Sequence, residues 1–196
     1  GTAIEAWVCS KCHAPFKPDD PKALAEPARE LREEFVRDFF RLKGRIYLNA
    51  VVPLLLEGAN CCENGQCMAT VAMCRTALES AFYRLRISWP GRGTIDSSIV
   101  DILPDIRFSW PGLLEWAKRE WIITNEMANM AGGVRRLGNF AAHHAEQIMR
   151  AASSHPERSY ELWVSPEDAY WALKVTQRII LHLTRVVEAK WISGRY

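Results

Sequence analysis

Arg136, Asn139 and His143 follow one another at steps of three and four in "VRRLGNFAAHH", residues 134–144. In a helix that spacing places all three within roughly 60° of one another, with Phe140 and Gln147 beside them. The trio suits phosphate chemistry. An imidazole with a pKa near 6.5 can move a proton at neutral pH, a permanent guanidinium cation can stabilise a phosphorane, and an amide can orient either. A solvated helix face carrying an interface hydrogen-bond network would use the same residue types. Spacing alone does not separate the two readings.

The support for these side chains is legible in their neighbours. From about Asn125 to Arg150 the apolar positions Met127, Met130, Val134, Leu137, Ala141 and Ile148 fall in a sector of roughly 80°. The polar trio faces away from it. Gly138, Ala141 and Ala142 lie on or next to the apolar side, where small residues let a second helix come close. A glycine inside a helix costs roughly 1 kcal/mol against alanine, and close packing is the expected compensation.

Other helices are predicted on both sides. Leu31, Phe35, Phe39 and Leu42 repeat at helical steps from about Pro27, with Gly44 as the expected stop. Residues 52–62 form a second helix, with Pro53 in its first turn, and "ENGQ" at 63–66 is a turn. "CMATVAMCRTALESAFYRLRI", 67–87, places Cys67, Val71, Cys74, Leu78, Phe82 and Leu85 on one stripe. Arg75 and Glu79 flank it four residues apart, either as a wall of the site or as a structural ion pair. The two "SWPG" copies, at 88–91 and 109–112, are expected as turns, and 113–121 as helix. Ser165 caps a last helix, with Pro166 in its first turn and Glu167 and Asp168 complementing the dipole. The expected fold is an all-α bundle of five to seven helices over 27–196, preceded by an appendage over 1–26 with Pro15, Pro18 and Pro21.

Composition narrows the partners. Hydrophobic residues make up 48% and charged residues 24%, a globular balance, and the formal charge of +2 carries no concentrated basic stripe of the kind duplex binding requires. The longest apolar run, Ala50–Leu56, is far short of the roughly 20 residues that cross a bilayer, so no membrane partner is expected. No basic stretch followed by an apolar one opens the sequence, so no secretory leader is expected either. The six cysteines lack the spacing of a disulfide framework, which favours free thiols in a reducing cytoplasm. Cys9 and Cys12 in "WVCSKCHAPF" have the spacing of one zinc knuckle, half of the four ligands a structural zinc needs. His13, Cys61, Cys62 and Cys67 are the further ligand candidates, although the last three read more simply as helix-end and core thiols. The eight tryptophans could stack on unpaired bases, but their scatter among Leu and Ile favours core and interface roles.

"MCRTALESAFYRL", followed about 60 residues later by "VRRLGNFAAHH" and then by a capped final helix, resembles the family catalogued as domain of unknown function 4145, within the HEPN superfamily. The resemblance spans about residues 45–190. It rests on Arg75-x-x-Leu78-Glu79 and on Gly138-Asn139-x-x-Ala142-His143. Many HEPN proteins are metal-independent endoribonucleases in which an arginine and a histidine from both subunits of a dimer line a cleft. The resemblance implies those roles for Arg136 and His143, with Asn139 as polar helper and with Arg75, Glu79 and Gln147 supporting. In the commonest form of the motif the arginine directly precedes the polar residue, whereas Gly138 takes that place here. The resemblance further implies a homodimer, no cofactor for catalysis, RNA as substrate, and a defence-system or antitoxin protein as partner. Members of the family also sit beside or within restriction and phage-defence proteins, where the domain would serve as a non-catalytic dimerisation or ligand-sensing module. Relatives with an N-terminal zinc ribbon carry a first knuckle ahead of the one at Cys9 and Cys12.

Overall fold

A computed structural model of the chain describes residues 7–8, 15–16, 24–89, 109–154 and 164–192, with positions 7–8, 15–16, 46, 143–154 and 191–192 described by backbone alone. Six α-helices stand among them: α1 (Ala25–Arg41), α2 (Val52–Glu63), α3 (Cys67–Ser88), α4 (Trp110–Arg119), α5 (Asn125–Ser154) and α6 (Pro166–Val187). Among the described residues the body is all-helical, as the 3.6-residue periodicity predicted. In the appendage Trp7–Val8 pairs antiparallel with Pro15–Phe16, bracketing the sequence positions of Cys9 and Cys12. Those two cysteines and His13 lie outside the described residues.

Helix α3 is the centre of the bundle. It packs against α2, α5 and α6, and therefore buries more than the predicted stripe. Thr70, Val71, Cys74, Ala77, Leu78, Ala81, Phe82 and Leu85 are all buried. The alanines let its neighbours approach, and Leu55, Leu173, Ile180 and Leu183 fill the space around it from α2 and α6, while α1, which carries the buried Phe35 and Phe39, packs on α2 and α6.

Several boundaries differ from the sequence expectation for local reasons. Helix α1 ends at Arg41, and Lys43–Tyr47 and Asn49–Val51 continue as short 3₁₀ turns. Gly44 is not the stop. It lets the chain touch the end of α6, where a Cβ would collide with Thr184 O and lie 2.9 Å from Glu188 N. The second "SWPG" is a helix start rather than a turn: Ser109 Oγ accepts from Gly112 N at 3.3 Å, and Pro111 sits in the first turn, where its missing N–H leaves nothing unpaired. The Ser165 cap is as predicted, accepting from Asp168 N at 3.0 Å.

Candidate functional site

The seam between α3 and α5 sets the position of every residue in the motif. A Cβ on Gly138 would collide with Arg75 Cβ and lie 2.9 Å from both Arg75 Cδ and Val71 O. Only glycine permits this approach, which presses α5 onto α3 at the start of the polar segment. Among the described side chains of α5 the buried positions are Met127, Ala128, Ala131, Val134, Gly138 and Ala141, while Met130 and Leu137 are half-buried and Ala142 is exposed. The buried face is thus turned by roughly 50° from the predicted apolar stripe, toward the small residues.

That rotation separates two neighbouring arginines. Arg135 comes to the edge of the seam, and its Nε donates to Glu79 Oε1 at 2.9 Å. The same oxygen accepts from Arg75 Nε at 3.2 Å, so one carboxylate on α3 holds two guanidinium groups. The Arg135 guanidinium also lies 5.8 Å from the centre of the Trp110 ring, linking α4 to the seam. Arg75 and Glu79 are therefore part of a three-helix brace, and its third charged member, Arg135, was not among the residues singled out from sequence. The available signal was its spacing of three from Gly138, which places it on the flank of whichever helix Gly138 admits.

Arg136 lies opposite the seam and is exposed. Its Nη1 reaches back along the helix to within 3.8 Å of where a Cβ on Gly132 would stand, so the guanidinium lies one turn toward the N-terminus. Asn139 is half-buried rather than fully outward-facing, and its Oδ1 is buried without a hydrogen-bond donor among the described residues. Position 143 is on the unbroken backbone of α5, one turn beyond Asn139, and position 147 one turn further. The side chains of His143 and Gln147 lie outside the described residues. The structure thus brings Arg75 and Glu79 together with Arg135, carries Asn139 at the margin of that brace, and leaves Arg136 on the open side.

The thiols are not part of this site. Cys61, Cys62 and Cys74 are buried and Cys67 is half-buried, all as free cysteines. Burial pushes the Cys62 thiol up to about 11 and the Cys74 thiol up to about 12, which holds both protonated near neutral pH. Among the described residues no three His, Cys, Asp or Glu side chains converge as a metal site. No described helix is long and apolar enough to cross a membrane.

No protein-family model, curated protein or solved structure matches this chain. Function is therefore read from the residues themselves.

Proposed function

We propose that the chain is a HEPN-like domain that binds RNA and cleaves it without a metal, using the outer face of α5 in a cleft completed by a second copy. The observation that carries this reading is the division of labour between adjacent arginines. Arg135 is drawn into the brace by Glu79, whereas Arg136 stays exposed on a helix that Gly138 locks in place. A fixed backbone with an exposed cation is what stabilising a developing charge requires. In the proposed reaction His143 takes the proton from a ribose 2′-OH and O2′ forms a bond to phosphorus. The bond to O5′ breaks, and that oxygen leaves as a hydroxyl by taking a proton from water. Arg136 stabilises the pentavalent phosphorus oxygens and Asn139 orients the phosphate.

The position of the Arg136 guanidinium favours a shared cleft over one built within a single chain. It reaches toward Gly132 and away from position 143, so an arginine and a histidine meet across two copies more readily than along one helix. A defence-system setting with an antitoxin or restriction partner fits a nuclease that has to be held in check.

Incubating the purified protein with mixed RNAs in EDTA, followed by end-group analysis, tests the reading. Products with 2′,3′-cyclic phosphate and 5′-hydroxyl ends are expected, and they should disappear in His143→Ala while its melting temperature stays close to wild type. Intact RNA throughout would overturn catalysis.

A second reading, a non-catalytic dimerisation or ligand-sensing module, is favoured by the same brace. Glu79 offsets part of the positive charge of Arg75 and Arg135, and a single exposed arginine is enough to hold an anion or a partner carboxylate. Loss of dimerisation in Arg136→Ala, with no cleavage by wild type, would select it.

A further inference from the structure

The corner between α4 and α5 breaks a rule that the chain obeys elsewhere. Helix α2 ends with Gly65 N donating to Cys62 O at 3.1 Å and Gln66 N to Cys61 O at 2.8 Å, and Gly65 takes the left-handed φ of 72° that this closure needs. Helix α4 ends with the same pair of bonds, Trp121 N to Lys118 O at 3.0 Å and Ile122 N to Ala117 O at 2.8 Å. The left-handed residue is now Trp121, with φ 57°. A bulky side chain is disfavoured there, because its Cβ crowds the following carbonyl. Its indole recovers nothing by burial, being 90% exposed. Among the described tryptophans, Trp89, Trp110 and Trp116 are instead core residues.

The backbone around Trp121 is held from outside as well. Lys190 Nζ donates to Glu120 O at 3.2 Å, and His182 Nε2 lies 2.8 Å from Ile122 O. Trp89 Nε1 donates to Glu120 Oε2 at 3.3 Å. The carbonyls on both sides of Trp121 are thus fixed by the C-terminal part of the bundle, and the ring is presented from a rigid base.

The surroundings indicate what it is presented to. A protein-docking surface has an apolar centre of several residues. The other exposed large apolar side chains among the described residues, Phe40 and Trp171, belong to α1 and α6. Next to Trp121 in the chain, the exposed residues are Arg119, Thr124, Asn125 and Glu126. Lys118 and Arg119 lie in the last turn of α4, where Lys118 pairs with Glu115 and Arg119 is exposed. A single open aromatic ring with the exposed Arg119 two residues away matches the platform on which an unpaired base stacks, with a cation nearby for its phosphate.

We infer that Trp121 is a stacking platform for an unpaired nucleobase of single-stranded RNA. The inference rests on the RNA reading of the α5 face, which it extends with a contact outside the reacting residues. The test uses a fluorescein-labelled 2′-O-methyl oligoadenylate of about twelve nucleotides, within the range that single-stranded binding surfaces span. Lacking a 2′-OH, it can bind but not be cleaved. Fluorescence anisotropy should show Trp121→Gly binding about tenfold or more weakly, the scale of one lost stack, with Trp121→Phe close to wild type. Trp121→Gly should also melt about 2–4 °C higher, because glycine relieves the left-handed strain. Loss of binding together with higher stability cannot come from damage to the fold.

Unchanged affinity in Trp121→Gly would overturn the inference, as would no binding of the oligonucleotide by wild type. Loss of self-association in Trp121→Gly with unchanged RNA affinity would overturn it in favour of a protein contact. Binding that depends on Trp121 in a protein that leaves natural RNA intact would support the platform while rejecting the nuclease.

Discussion

Replacing Gly138 with alanine should destabilise the protein even though alanine is the better helix former. The added Cβ would collide with Arg75 Cβ and stand 2.9 Å from Val71 O, a backbone atom that cannot turn aside. Restoring an ordinary separation of roughly 3.5–4 Å requires α5 to move off α3 by about 1 Å. Overpacking of this kind costs about 1–3 kcal/mol, and the gain in helix propensity offsets about 1 kcal/mol of it. A net loss of up to about 2 kcal/mol is expected, or up to about 8 °C in melting temperature for a chain of this size. Gly132→Ala is the internal control. On the same helix its Cβ would meet only Arg136 Nη1 at 3.8 Å, an ordinary contact, so the propensity term should stand alone and stabilise by up to about 1 kcal/mol. Urea denaturation at a common m-value separates the two. Equal stability changes for both substitutions, or a stabilised Gly138→Ala, would refute the packing account of the motif.

Glu79→Gln should cost about 1 kcal/mol or less, because Arg75 and Arg135 are both partly exposed and solvent screens their pairing. The loss should shrink when urea titrations are repeated at high salt, and salt-independence would argue against an electrostatic brace. Burial pushes the folded Cys74 thiol up to about 12 from its ordinary 9.0. Between those values the folded chain keeps a proton that the unfolded chain releases, so stability should fall as pH rises above about 9, by up to about 1.4 kcal/mol per pH unit from this group. Cys74→Ala should flatten that slope by one proton, and an unchanged slope would rule out the assignment. Alkylation by iodoacetamide near neutral pH should spare Cys62 and Cys74 in the folded protein and label them in urea.

The pattern of helices was legible because each signal was local. Ser165 followed by Pro166 and two acids specifies a helix start from its own side chains, and the stripes of α1 and α3 mark faces that any bundle would bury. "SWPG" at 109–112 misleads because Ser-x-Pro-Gly suits a turn and an N-cap equally well, and the hydrophobic residues that follow decide between them. The face of α5 was harder to read. A helical wheel weighted by hydrophobicity centres on Met130 and Leu137, but contact with α3 is governed by the small size of Ala131 and Gly138. That difference moves Arg135 inward, turns Asn139 toward the seam and leaves Arg136 outside. Trp121 carried no sequence signal of exposure, since its left-handed backbone follows from where α4 stops, and the expected helix ran through it.

Arg136→Ala and Arg135→Ala, compared side by side for urea stability and for RNA cleavage in EDTA, test the central division most directly. Arg136 is exposed and outside the brace, so its loss should change stability by no more than about 0.5 kcal/mol. Cleavage should fall by about a hundredfold or more, the scale of one lost transition-state contact. Arg135→Ala should lower stability through the loss of its contacts with Glu79 and Trp110. An Arg136→Ala protein that cleaves like wild type, or that loses as much stability as Arg135→Ala, would contradict the assignment of the outer face of α5 to function and its inner edge to structure.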